Sequence, residues 1–324
     1  MPIITLGVIG GAITLLLGTL GSLWLRRTSD VTDIQIAPGV RMPLILNGIT
    51  KDHGIWLALG GRGIDSAFLY GDEHQKQVGA AIAESGVPRE EIFLVTKVNC
   101  CPTMRCSTFC RIPPFNNSAG PMAVHNASEM LLHSLSTLKQ SYADLVLLHF
   151  PCTDFRDTLS MWEELIEARQ RGWTRAIGVS NFNASLLQKL LKASKVKPAV
   201  VQNAFSVAGH PPTHLGTKGP CEEGSPLYGS DDATLALCRR KKIAFSAYSP
   251  LGSIAKVGVI SQPSVARIAD AHGKSRAQVA LKWLTQQKIA AVTSTSRPKH
   301  VMEALDLGSF SLTKREMGEL GAAV

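Results

Sequence analysis

The chain has 324 residues, enough for one large domain or two ordinary ones, and its 45% hydrophobic content supports a sizeable packed core. Low-complexity tracts and internal repeats are absent, which excludes disordered and solenoid architectures. The net charge of +9 suits an anionic partner, yet no run of Lys and Arg is interleaved with aromatics; that excludes a nucleic-acid face and favours a small phosphorylated ligand.

Residues 3–25, IITLGVIGGAITLLLGTLGSLWL, carry no charge, and Arg26 and Arg27 come directly after them. As a helix this run extends about 34 Å, enough to cross the hydrocarbon of a bilayer. Trp24 suits the interface, and the paired Arg would hold the C-terminal side in the cytosol. The expectation is an anchor helix over residues 1–29, a barrel over 30–324, and a membrane-anchored protein facing the cytosol. A cleaved signal peptide and a buried helix are the alternatives. The first lacks a basic n-region and an A-x-A site, and the glycines of the run suit membrane packing better than the second.

From there, IQIAPGVRMPLIL reads as a hairpin turning at Pro38 and Gly39. A short strand near Ile45–Ile49 opens a series continued by GRGIDSA, EIFLVTKV, ADLVLLHF, TRAIGVS, AVVQNAF, IAFSAYS and IAAVTSTS. Helical stretches such as EHQKQVGAAIAES, ASEMLLHSLSTLKQ and TLSMWEELIEARQRG lie between them. The strands are almost continuously apolar, as expected of a parallel sheet covered by helices. Eight such β/α units predict a closed (β/α)8 barrel, a TIM barrel with an N-terminal β-hairpin. An open doubly wound sheet is the alternative, but no G-x-G-x-x-G follows the first strand. Two connections are long, 99–124 and 206–230, and would border the active face. The first holds Cys100, Cys101, Cys106 and Cys110, whose spacing lacks paired C-x₂-C knuckles, so free or redox-sensitive thiols are expected rather than a metal site.

Asp65, Tyr70, Lys97 and His149 fall at or just beyond the ends of successive strands, which a barrel gathers on one face. Singly each has an ordinary structural alternative: a capping acid, a packing phenol, a snorkelling lysine, a core histidine. Together they are equipment for general acid catalysis. A phenol donates poorly near neutral pH; an adjacent ammonium, itself paired to a carboxylate, is expected to lower its pKa. An imidazole beside it can orient a carbonyl oxygen.

GGRGIDSAFLYGDE, LVTKV and LLHFP carry these four residues in patterns that resemble the aldo-keto reductase family, and the likeness runs from about Ile34 to Leu320. The resemblance implies a catalytic tetrad of Asp65, Tyr70, Lys97 and His149. AIGVSNF is similar to the family segment that holds the nicotinamide carboxamide through Ser180 and Asn181, joined by Gln202 from VVQNAF. AYSPLG resembles the strand end whose Tyr248 stacks on the nicotinamide, with Ser249 and Leu251 approaching the pyrophosphate. By the same resemblance the protein is an NADPH-dependent reductase of aldehydes or ketones, monomeric, acting on a small carbonyl compound, with Tyr70 as the acid.

The chain departs from the family pattern in places. ILNGIT stands where G-L-G-T-W is usual, which removes an aromatic pocket wall. YGDEHQKQVG is two residues longer than usual. In VTSTSRPKHVMEAL the cations that usually grip the 2′-phosphate are Ser294 and His300, with Thr295 at the usual Ser; Arg297 and nearby Lys299 are expected to supply the charge, and Glu303 matches a residue near the adenine. The same barrel resembles the cytosolic β subunits of potassium channels, so a regulatory subunit is the alternative function. His149, rather than Glu, points to carbonyls and away from C=C reduction.

Overall fold

Eight short parallel strands close on themselves in the computed structural model, which describes residues 32–100, 126–152, 154–208, 232–252 and 258–322. The chain divides into two units, Met1–Asp30 and Val31–Val324, and the described residues belong to the second. The anchor expected at residues 1–29 lies outside the described residues. Among the described residues no helix is long and apolar enough to cross a membrane. That finding overturns the expected membrane-anchored, cytosol-facing placement, which has no spanning helix to rest on there.

The hairpin forms as expected from β1 (Asp33–Ala37) and β2 (Val40–Pro43), antiparallel, with Ala37 opposite Val40. Gly39 takes φ +70°, a left-handed value that a glycine adopts without a Cβ clash. Val40 and Met42 of the hairpin, with Leu44, are buried against Phe93, Leu145, Ala176 and Val200, residues at or near the starts of barrel strands. The hairpin therefore floors the barrel at its N-terminal end.

The barrel strands are β3 (Ile45–Asn47), β4 (Gly63–Asp65), β5 (Phe93–Val98), β6 (Ala143–Leu148), β7 (Thr174–Ser180), β8 (Val200–Ala204), β9 (Ala244–Tyr248) and β10 (Ala290–Thr293), each hydrogen-bonded to the next, with β10 closing on β3. Every residue of β5 and β6 is buried, because the inner side chains fill the barrel and the outer ones pack under helices. The helices are α1 (Gly54–Ala58), α2 (Gly71–Glu84), α3 (Ala127–Leu138), α4 (Phe155–Gln170), α5 (Ala184–Ala193), α6 (Asp232–Lys241), α7 (Pro263–His272), α8 (Arg276–Thr285), α9 (Pro298–Leu305) and α10 (Lys314–Gly321). Side chains fix several starts: Asn126 and Asn183 accept from the N3 amides of α3 and α5, and Ser275 and Thr313 form capping boxes on α8 and α10.

At the strand starts, buried Asp144 of β6 takes hydrogen bonds from Arg89 Nη1 at 2.9 Å, Arg175 Nη1 at 3.0 Å and the Leu94 amide at 3.0 Å. This pins β5, β6 and β7 together at one end. At the other end, Cys100 just past β5 is disulfide-bonded to Cys152 just past β6, with Cα atoms 5.2 Å apart. The expectation of free thiols is thus corrected for Cys100. Its partner was invisible to cysteine spacing because only the pairing of β5 with β6 brings the two loops together. Cys101, Cys106 and Cys110 lie outside the described residues, as do most of the two long connections.

Candidate active site

The C-terminal strand ends bring the four expected residues together. Asp65 ends β4, Lys97 is the fifth residue of β5, and His149 directly follows β6; all three are buried. Tyr70 closes a short 3₁₀ turn, Phe68–Tyr70, and serves as the N-cap of α2. Gly71, at φ +83°, supplies the sharp change of direction into that helix. The phenol is thereby carried on a turn and a helix start rather than on a strand.

Lys97 Nζ is the hub. It pairs with the Asp65 carboxylate, donates to the Ser66 carbonyl at 3.0 Å and reaches Tyr70 Oη at 3.4 Å. The His149 ring stands edge-on to the Tyr70 ring, with centroids 6.2 Å apart, and stacks on Phe150 at 4.3 Å. Burial pushes the Lys97 ammonium down, but Asp65 first and then Tyr70 outweigh it, so the ammonium sits above its ordinary value. Burial, and then the Lys97 charge, hold His149 well below its ordinary value, leaving a neutral imidazole. Its Nδ1 makes no hydrogen bond among the described residues.

Tyr70 departs from expectation. Burial raises the phenol above its ordinary value, and although Lys97 opposes this, Asp65 adds to it. Lys97 acts with the expected sign and is outweighed. The result is a phenol that holds its proton until a stronger base is placed against it.

Around this hub the residues expected to hold a cofactor form one network. Gln202 Nε2 donates to the second Asp65 oxygen at 2.9 Å. Ser180 Oγ donates to the Gln202 carbonyl at 2.7 Å. Asn181 Nδ2 donates to the His149 carbonyl at 2.9 Å, and Tyr248 Oη donates to Asn181 Oδ1 at 2.8 Å. Asn181 and Ser249 hold positive φ, 61° and 51°, conformations that cost a non-glycine residue energy and cluster at functional sites. Leu251 packs, partly buried, against the main core.

The remaining expected residues gather elsewhere, at the end of β10 and the start of α9. Ser294 Oγ bonds the Ile49 carbonyl, and the Arg297 amide bonds Thr295 Oγ1 at 3.2 Å. Arg297 is the exposed N-cap of α9, and His300 is exposed in its first turn. Lys299 lies 4.0 Å from Glu303 one turn on, which leaves Arg297 as the cation there without an ion pair among the described residues.

Matched to a family profile, residues 55–258 and 260–324 fit the aldo/keto reductase family. The chain belongs to that family. An aldo-keto reductase of Mycolicibacterium paratuberculosis is 35% identical over 299 residues, covering 90% of this chain and 89% of the relative. A 9,11-endoperoxide prostaglandin H2 reductase of Trypanosoma cruzi is 33% identical over 298 residues, covering 89% of each. Among solved structures, a Bombyx mori aldo-keto reductase in complex with NADP matches with TM-score 0.68 and 26% identity, covering 91% of this chain and 94% of that one. As an aldo-keto reductase the protein is an oxidoreductase, and small carbonyl compounds are the substrates that fit the family.

Sequence reasoning missed several residues packed around this cluster in the aldo-keto reductase barrel. Asn47, at the end of β3, makes two 3.3 Å bonds with the Thr295 backbone and ties the first strand to the β10 group. A polar residue closing an apolar strand, as in LILNG, is the signal that would have found it. Gln202 was expected beside the cofactor, yet it also holds Asp65. The His74 ring stands edge-on to Tyr70 and the His53 ring edge-on to His74, and neither histidine carried a motif.

Proposed function

We propose that the protein reduces aldehydes or ketones to alcohols with NADPH, and that Tyr70 is the general acid. The observation that carries this reading is the buried Lys97–Asp65 pair set against Tyr70 Oη, with a neutral His149 ring facing the same phenol. Ser180, Asn181, Gln202 and Tyr248 present amide and hydroxyl groups at adjoining strand ends, which fits a nicotinamide carboxamide. The exposed Arg297 at the N-terminus of α9 fits a 2′-phosphate. A bound nicotinamide cofactor supplies the hydride.

The chain's own residues handle the oxygen. His149 donates a hydrogen bond that fixes the carbonyl, and Tyr70 gives its phenolic proton to that oxygen as charge develops there. Lys97 stabilises the phenolate left behind, an effect that grows as charge appears on the oxygen. Asp65, gripped by Lys97 and Gln202, keeps that ammonium in place.

The test is oxidation of NADPH by the purified protein with 4-nitrobenzaldehyde. Turnover is expected, and Tyr70→Phe should lower kcat by about 10²- to 10⁴-fold, the usual worth of a general acid. Undiminished turnover in that variant would overturn the assignment.

A further inference from the structure

A histidine that orients a carbonyl must hold its ring at one angle, yet His149 Nδ1 makes no hydrogen bond among the described residues. Besides the stacking on Phe150, its backbone fixes it. The His149 amide donates to the Val98 carbonyl at 2.8 Å, which continues the ladder between β5 and β6. The His149 carbonyl accepts from Asn181 Nδ2 at 2.9 Å. That second bond comes from outside the β5–β6 pair, because Asn181 directly follows β7.

The Asn181 amide has one workable orientation. Its Nδ2 also meets Ser180 Oγ at 3.2 Å, while its Oδ1 accepts from Tyr248 Oη at 2.8 Å. Turned over, the amide would set its oxygen against the His149 carbonyl, two acceptors with no proton between them. Tyr248 ends β9, and β9 shares no ladder with β6 in the barrel. One buried side chain thus ties together two strand ends that the sheet leaves apart. The Asn181 amide nitrogen of the backbone donates to the Gln202 carbonyl at 3.1 Å, and the residue is held at φ 61° against a conformational cost. Burial, and then Tyr70, keep the Tyr248 phenol above its ordinary value, so it retains the proton that it donates.

We propose that Tyr248 is a positioning residue for His149, its hydroxyl acting through the Asn181 side-chain amide. An aromatic ring at this position offers the same flat face with or without its oxygen. The hydroxyl does separate work at Asn181 Oδ1. Without it a buried acceptor is left unpaired, and the amide is free to turn away from the His149 carbonyl. The inference rests on the reading above in which His149 orients the carbonyl and Tyr70 protonates it.

The experiment compares wild type, Tyr248→Phe, Asn181→Gly, the double variant and Tyr70→Phe. Glycine suits the positive φ at 181, so that variant removes the amide without adding strain. The first readout is kcat/KM for 4-nitrobenzaldehyde at saturating NADPH. Tyr248→Phe should lower it about two- to tenfold, the worth of one hydrogen bond. On the Asn181→Gly background the same change should cost nothing further. The second readout is the cofactor-free protein carrying isotope-labelled asparagine, observed by NMR. The side-chain amide signal that disappears in Asn181→Gly should exchange with solvent about two- to tenfold faster in Tyr248→Phe. Wild-type kcat/KM in Tyr248→Phe overturns the proposal, as does a loss that persists in full on the Asn181→Gly background. Unchanged amide exchange overturns it too. An active Tyr70→Phe, or a wild type without turnover, overturns the reading beneath it; the amide exchange, measured without cofactor or substrate, still decides whether Tyr248 holds Asn181.

Discussion

Reducing the Cys100–Cys152 bond is a perturbation whose size can be worked out from the chain. The bond closes a loop of 52 residues between two neighbouring parallel strands. Cross-linking a loop of that length removes roughly 14 cal/mol/K of entropy from the unfolded chain, or about 4 kcal/mol at 25 °C. A folded unit of this size unfolds with an entropy near 0.6 kcal/mol/K, so the melting temperature should fall by roughly 7 °C. The assay is a thermal melt with and without dithiothreitol, beside a Cys100→Ala/Cys152→Ala double variant. The variant should melt near the reduced wild type and ignore the reductant. Lys97 and His149 each lie three residues before one of the bonded cysteines, so reduction should also blunt turnover below the melting range. A disulfide confirmed by thiol mapping, combined with a melt that reductant leaves in place, would refute the loop-entropy reasoning.

Three further outcomes are expected. Lys97→Met strands a buried carboxylate at Asp65, which should cost about 3–5 kcal/mol by denaturant titration; adding Asp65→Leu should recover part of that loss. Stability should fall as pH drops from about 6.5 to about 4, because the unfolded chain binds a proton at His53 that the folded chain refuses until about 4. The full effect is about 3 kcal/mol, and His53→Phe should flatten that limb of the stability–pH curve. Arg297→Ala should weaken NADPH roughly three- to tenfold while leaving NADH unchanged; equal weakening of both would place the 2′-phosphate elsewhere.

Much of the barrel was legible because its signals are local. Continuous apolar runs such as EIFLVTKV and ADLVLLHF mark strands covered on both sides, and Pro38–Gly39 marks the hairpin turn. The tetrad was legible because each member sits beside a strand end, where sequence position fixes spatial position. What escaped depends on register and burial. The Cys100–Cys152 pair and the Gln202–Asp65 bond join residues 52 and 137 apart, and only strand adjacency or convergence at the barrel mouth makes them neighbours. The raised pKa of Tyr70 escaped for a related reason: composition names the charges around a phenol but not how much water the fold removes from it. The short helix α1 and the separate α8 and α10 escaped because tertiary packing, more than propensity, holds them.

The hairpin floor has a further consequence. With Val40, Met42 and Leu44 packed among the strand starts, the hairpin closes the barrel at its N-terminal end. A molecule that touches Asp65 and Lys97 therefore meets them from the side of the C-terminal strand ends and not along the barrel axis from below.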